Sequence, residues 1–206
     1  MPTGIHIRDA RRQLFVAAER VLLRDGPGAL TSRAVTDEAG VAKGVLHRHF
    51  PDFDAFLAEL VRDRAARIDD QAALLRASAG IGSVAGNVAD AVTELFDPIA
   101  VAIVSLVIFR DELRARLRAT GPAYGIPVLT EASAMLAAYL TDESELGRIA
   151  ADADTASLAL ALIGAGHLLF AGRTQPDSTR PAGTQQEDVG KVVTAVLADV
   201  LQRRLL

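Results

Sequence analysis

The stretch from Leu30 to Phe50 reads LTSRAVTDEAGVAKGVLHRHF. Two short helices are predicted within it, one from Thr31 to about Ala39 and one from about Ala42 to Arg48. Thr31 is a good N-cap residue, because its side-chain oxygen can accept from an otherwise unpaired amide of the first turn. Gly40 is a natural stop, and Ala39-Gly40-Val41 forms the joint. A glycine-containing turn of this length sets two helices at a steep angle, as in a helix-turn-helix. Val35, Ala39, Val41 and Leu46 would pack the corner. The outward residues of the second helix (Lys43, Gly44, Val45, His47 and Arg48) are small or basic, which suits insertion into a major groove. Spacing alone leaves a second reading open, an ordinary helical hairpin with a solvated basic face.

Outward from this stretch, nearly every segment has helical period and none alternates as a half-buried strand would. Upstream, Leu14, Phe15, Ala18, Val21 and Leu22 form one helical face between Arg8 and Arg24, and Asp25-Gly26-Pro27-Gly28 ends that helix. Downstream, Pro51-Asp52 restarts the chain, with Asp52 as N-cap of a long helix reaching about Ala77. Its apolar face is Phe53, Phe56, Leu57, Leu60, Val61 and Ile68. Gly80 to Gly86 reads as a flexible joint. Further helices are predicted near 83–96, 98–118, 122–140, 153–172 and 186–205, with an acidic turn from Asp142 to Gly147 and a loop from Thr174 to Gln185. The fold class is all-α, with about nine helices.

Composition narrows the function. The chain has 206 residues, 50% hydrophobic and 23% charged, which is globular. It contains no cysteine, which excludes disulfides, thiolate metal sites and cysteine nucleophiles. The longest apolar run, Ile99 to Phe109, is too short for a bilayer, which needs ~20 residues. The N-terminal arginines are not followed by an uninterrupted apolar stretch, so no signal peptide is expected and a cytoplasmic location follows. The net charge of −4 is unevenly spread. Residues 1–50 hold 8 Lys+Arg against 5 Asp+Glu, whereas residues 51–206 hold 14 against 21. A mildly basic head therefore sits on an acidic body.

The Leu30–Phe50 segment resembles the TetR family of transcriptional regulators, whose pattern is close to T-x-R-x-I-A-x-x-A-G-V-S-K-G-T-L-Y-x-H-F. Thr31, Arg33, Ala39, Gly40, Val41, Lys43, Gly44, Leu46, His49 and Phe50 match as they stand, and the resemblance covers about residues 10–60. It implies an N-terminal three-helix helix-turn-helix DNA-binding domain (1–52) and a larger C-terminal helical ligand-binding and dimerisation domain (53–206). The implied partners are a double-stranded DNA operator, a small-molecule effector and a second copy of the chain, with no membrane, cofactor or metal. Thr31 would cap the second helix, and Ser32 and Lys43 would hold phosphates. Arg33 would reach a base edge or a phosphate. Gly44 would allow close approach, and Val45 would meet a thymine methyl. His47, Arg48 and His49 would complete the DNA-facing set. Phe50 would be core.

Several positions depart from that pattern. Ala42 replaces the usual serine and removes a side-chain cap worth ~1 kcal/mol. Thr36 stands where a small alanine usually packs. His47 replaces a tyrosine, which shortens the reach of that contact. Phe53 stands in place of a phosphate-holding lysine, which would flatten the salt slope by ~2 per dimer. An alternative reading is a helical small-molecule-binding protein with a weakened or lost DNA-binding head.

In the C-terminal part, Phe96, Ile103, Leu106, Phe109, Arg110, Tyr124, Met135, Tyr139, His167 and Phe170 are the candidate ligand-lining residues. Arg110, Tyr124, Tyr139 and His167 would supply the few polar groups of a mainly apolar pocket. Each could equally be plain core. The helices near 153–172 and 186–205 carry more small and apolar surface than a monomer needs, which suits an isologous dimer. No catalytic motif is present: there is no G-x-S-x-G, H-E-x-x-H, Walker loop or calcium loop. Asp69-Asp70, Asp111-Glu112 and Asp142-Glu143-Glu145 read as solvated surface. A regulator is expected, and not an enzyme.

Overall fold

The computed structural model describes residues 6–120, 125–171 and 184–204, and these are helical with no strand among them. In chain order the helices are α1 (His6–Asp25), α2 (Ser32–Glu38), α3 (Gly44–His49), α4 (Phe53–Ala77) and α5 (Val84–Leu95). They continue with α6 (Pro98–Phe109), α7 (Asp111–Thr120), α8 (Pro127–Glu145), α9 (Thr155–Ala171) and α10 (Thr184–Arg203). Among the described residues no single helix is long and apolar enough to cross a membrane.

The expected 98–118 helix is two helices, parted at Arg110. The sequence changes character there, from an all-apolar segment to Asp111-Glu112, and the Arg110 carbonyl accepts from the amide of Arg114 to open α7. The expected acidic turn is also corrected, because α8 continues through Asp142 and Glu143 to Glu145 before Gly147, at φ 69°, ends it. The expected loop from Thr174 and the Gly121-Pro122 break fall largely outside the described residues.

The chain packs as two compact units. One comprises residues 1–64 and 98–127, and the other 65–97 and 128–206, so α4 contributes to both. This division by packing differs from the 1–52 and 53–206 division by expected role, because α6 packs on α1 and on the Pro27–Ala29 turn.

In the first unit the core is aromatic. Phe50 and Phe56 meet edge to face at 5.1 Å, Phe15 lies 6.0 Å and 5.6 Å from them, and Phe53 stacks on Phe56 at 5.7 Å. Four of the chain's seven phenylalanines are spent here, and such pairs add directional energy to burial. In the second unit α5, α9 and α10 pack on one another. Gly166 lets α9 close on α5, because a Cβ at that position would come within 2.5 Å of the Phe96 ring. Phe96 in turn stacks on Phe170, with ring centres 5.4 Å apart.

Candidate nucleic-acid interface and effector unit

The Leu30–Phe50 stretch folds as its residues dictate. Thr31 is extended and its Oγ1 accepts from the amide of Ala34 at 3.1 Å, which starts α2. Gly40 has φ 67°, a conformation that costs glycine little, and Val41 donates back to the Thr36 carbonyl to close the turn. Val35 and Leu46 are fully buried in the corner, with Ala39 and Val41 half-buried beside them. Gln13 Nε2 holds the turn from α1 through the Ala39 carbonyl at 3.0 Å, and Arg24 reaches Glu38 on α2 at 2.8 Å. Thr36 is also fully buried, and its hydroxyl donates to the carbonyls of Ser32 and Arg33, both at 3.1 Å. The larger residue is therefore accommodated without an unpaired polar group.

On the opposite face, Arg33, Lys43, Gly44, His47 and Arg48 are exposed, while Ser32, Val45 and His49 are half-buried. No side chain caps α3, whose N-cap is Lys43 and not the expected position 42. Arg33 is within 3.5 Å of Asp37, a pair in which both side chains are mostly exposed and which is therefore weak. Phe50 is core, covered by the Arg11 guanidinium 4.6 Å from its ring centre. Behind this surface Asp52 Oδ1 accepts from the amide of Ala55 at 2.7 Å, which caps α4 as expected. That bond holds the Asp52 carboxyl below the usual range, with Arg116 Nη2 at 2.8 Å lowering it further.

The candidate ligand-lining residues are distributed over both units. Ile103 and Leu106 are buried in the first unit. Phe109 is 81% exposed and not core, because it is the last residue before the helix breaks. Arg110 pairs with Asp54. Phe96, Met135, Tyr139, His167 and Phe170 lie in the second unit, and Tyr124 is outside the described residues. Within the second unit Phe96, Phe170 and His167 form one cluster, with the His167 ring centre 6.2 Å from that of Phe96 and its buried Nδ1 without a partner among the described residues. Met135 lines a cleft of about 220 Å³ bounded by α4, α5 and α8.

Tyr139 and Glu143 form a network the sequence did not announce. Glu143 is fully buried and not solvated surface, because one more turn of α8 carries it under the Gly80–Gly82 bend. Its Oε1 accepts from the Tyr139 hydroxyl at 2.6 Å and from the amide of Gly80 at 3.3 Å, and Oε2 faces Arg148 Nε at 3.3 Å. Arg148 also donates to the Gly82 carbonyl at 2.5 Å. Asn87 Nδ2 donates to the Tyr139 hydroxyl at 2.9 Å and to the carbonyls of Ser78 and Ile81. Burial first, and the Glu143 carboxylate second, push the Tyr139 hydroxyl up to about 12. The bend expected to be a flexible joint is thus pinned from three sides. The available signal was Tyr139 and Glu143 four residues apart, on one face of a helix.

This head is a helix-turn-helix of the DNA-reading class. Residues 14–60 match the family model described as "Bacterial regulatory proteins, tetR family". The fold of the whole chain is similar to solved structures of such regulators. The fatty acid degradation regulator FadR from Bacillus halodurans is 18% identical, with 96% of this chain and 97% of that one covered and a TM-score of 0.69. FadR from Bacillus subtilis, in complex with stearoyl-CoA, gives 15%, 92%, 98% and 0.70. Reduced NemR from Escherichia coli gives 15%, 93%, 99% and 0.71. No curated protein matches the chain by sequence. Residues 14–60 thus match the N-terminal domain of the TetR family, and the fold of the chain is similar to that of solved TetR-family transcriptional regulators.

Proposed function

We propose that the chain is a homodimeric, ligand-responsive TetR-like repressor that binds a palindromic operator and is released by a small, mainly apolar ligand. The observation that carries this reading is the two-sided α3: Leu46 is fully buried, while Lys43, Gly44, His47 and Arg48 on its other side are exposed. Thr31, Ser32, Arg33, Val45 and His49 complete the DNA-facing set. A FadR relative was solved with stearoyl-CoA, which supports a small-molecule effector here by analogy of fold.

The dimer interface is assigned to α9 and α10. On α9, Leu160 and Leu168 are 67% and 80% exposed, and Ala161 and Gly164 lie exposed between them. The helix carries no Asp, Glu, Lys or Arg, so leaving this face in water would waste apolar burial. An isologous pair would place two reading heads on one two-fold axis, as a palindromic operator requires.

The test is selection from a random-duplex pool at two salt concentrations, with sedimentation in parallel. A recovered palindrome, a steep salt dependence and a dimer are expected. A folded dimer that enriches no sequence would favour the ligand-binding protein with a disabled head.

A further inference from the structure

We infer that the cleft between α4, α5 and α8 binds a small primary ammonium compound with an apolar body. This rests on the reading of the second unit as the effector-binding part and names the ligand class it would take. The floor is apolar, formed by Leu75 and Met135, which are 7% and 4% exposed. Apart from Gln71, the polar groups around it are acceptors or have their donors already committed. Ser78 Oγ donates to the Leu75 carbonyl at 2.6 Å. Asn87 Nδ2 is used by Ser78, Ile81 and Tyr139, which leaves that amide only an oxygen to offer.

Asp90 and Glu94 stand one turn apart on α5, on the same side of the helix, and are acceptors only when ionised. Among the described residues Asp90 accepts from a neutral group, Gln186 Nε2 at 2.9 Å. Glu94 has no ion pair or hydrogen bond among the described residues. No lysine or arginine lines the cleft, and Gln71 is the one lining side chain with an uncommitted donor. A ligand that satisfies these groups must bring several donors and positive charge at one end, and an apolar body to cover Leu75 and Met135. An ammonium carries three donors and no acceptor, and hydrogen bonds to ionised groups are the stronger kind. A carboxylate or phosphate ligand would meet two like charges and no donor able to compensate.

The probe is phenethylammonium, compared by calorimetry with the neutral 2-phenylethanol and the anionic 3-phenylpropanoate, on the full chain without DNA. The ammonium is expected to bind one per protomer. Glu94→Gln and Asp90→Asn should each weaken it about tenfold, with unchanged circular dichroism, since both are exposed positions of α5. Equal binding of all three probes, no binding of the ammonium up to about 10 mM, or parental affinity in both variants would overturn the assignment. Because these titrations contain no DNA, they stand apart from the operator selection. Ammonium binding without any enriched duplex would retire the regulator reading and leave the cleft assignment in place. An enriched operator with no ammonium binding would do the reverse.

Discussion

Arg110 Nε donates to Asp54 Oδ1 at 2.8 Å, so the break between α6 and α7 is tied to the first turn of α4. The same guanidinium lies 5.2 Å from the centre of the Phe53 ring, and further along, in α7, Arg116 holds Asp52. The start of the long helix is therefore gripped by two arginines directly behind the reading head. The Arg110 and Asp54 side chains are 32% and 27% exposed, so the pair is only partly screened by water. A double-mutant cycle with Arg110→Met and Asp54→Asn should give a coupling of about 0.5–1 kcal/mol at low salt. It should shrink as salt is raised. Additive effects at low salt would make the contact incidental.

The Tyr139 hydroxyl is expected to keep its proton well beyond the ordinary tyrosine range. Its acidity is shifted up to about 12, by burial and then by Glu143. A group whose native pKa is raised favours the folded state while protonated. That contribution is complete below pH ~10 and is lost as pH climbs from there towards about 12. Tyr124 and Tyr139 are the chain's 2 tyrosines, so a Tyr124→Phe background isolates the second. The tyrosinate absorbance in that background should rise near 12, together with loss of the helical signal. A midpoint near 10 with the fold intact would mean that the network does not hold the proton.

Removing the hydroxyl tests the same network from another side. Tyr139→Phe takes the 2.6 Å donor from the buried Glu143 Oε1, which keeps only the Gly80 amide at 3.3 Å, while Asn87 Nδ2 keeps the Ser78 and Ile81 carbonyls. A loss of this kind costs about 1–3 kcal/mol, so urea unfolding should report a drop in that range. An unchanged midpoint would show that water or a rearrangement replaces the bond.

How far the sequence could be read follows from where its signals are local. The helix-turn-helix was legible because caps, glycine turns and the buried periodicity of Val35 and Leu46 lie within twenty residues of one another. Phe50 was legible as core for the same reason. Arg110 was read as a ligand-lining group because arginine after an apolar run looks like a pocket's polar tip, and nothing local points to a carboxylate 56 residues earlier. Glu143 was read as surface because acidic residues near a chain reversal usually are, and the partner that buries it, Arg148, follows the turn. Phe109 was read as core from its neighbours, yet the helix ends on it and leaves it in solvent. Long-range ion pairs and the last residue of a helix are where periodicity carries least information.

On the DNA face, Lys43→Ala and Arg33→Ala should each weaken operator binding without changing the helical content. Lys43 has no ion pair among the described residues; if it holds a phosphate in a dimer, as proposed, its loss should flatten the salt slope by about 2 per dimer. Arg33 would cost about 1–3 kcal/mol if it reads a base. Asp37, 3.5 Å from Arg33, competes with DNA for it. Asp37→Asn should therefore tighten binding, which a purely structural role for Arg33 would not produce. Parental affinity in both alanine variants would move the recognition surface elsewhere.

Gly164 and Gly166 separate the protomer's own packing from its pairing with a second copy, because they lie two residues apart on opposite sides of α9. A Cβ on Gly166 would meet Phe96 Cε2 at 2.5 Å, whereas one on Gly164 would meet nothing within 4 Å. Gly166→Ala should thus destabilise the protomer by about 1–3 kcal/mol through overpacking. Gly164→Ala should add up to about 1 kcal/mol to the isolated helix, since alanine is the better helix former. If α9 is the dimer face, bulk at Gly164 should instead cost association, and Gly164→Leu should raise the dimer dissociation constant while the protomer stays folded. Leu160→Glu and Leu168→Glu should do the same by placing charge in an apolar interface. Sedimentation at several concentrations reads all of these, and a dimer indifferent to the substitutions at positions 160, 164 and 168 would place the two-fold axis on another helix.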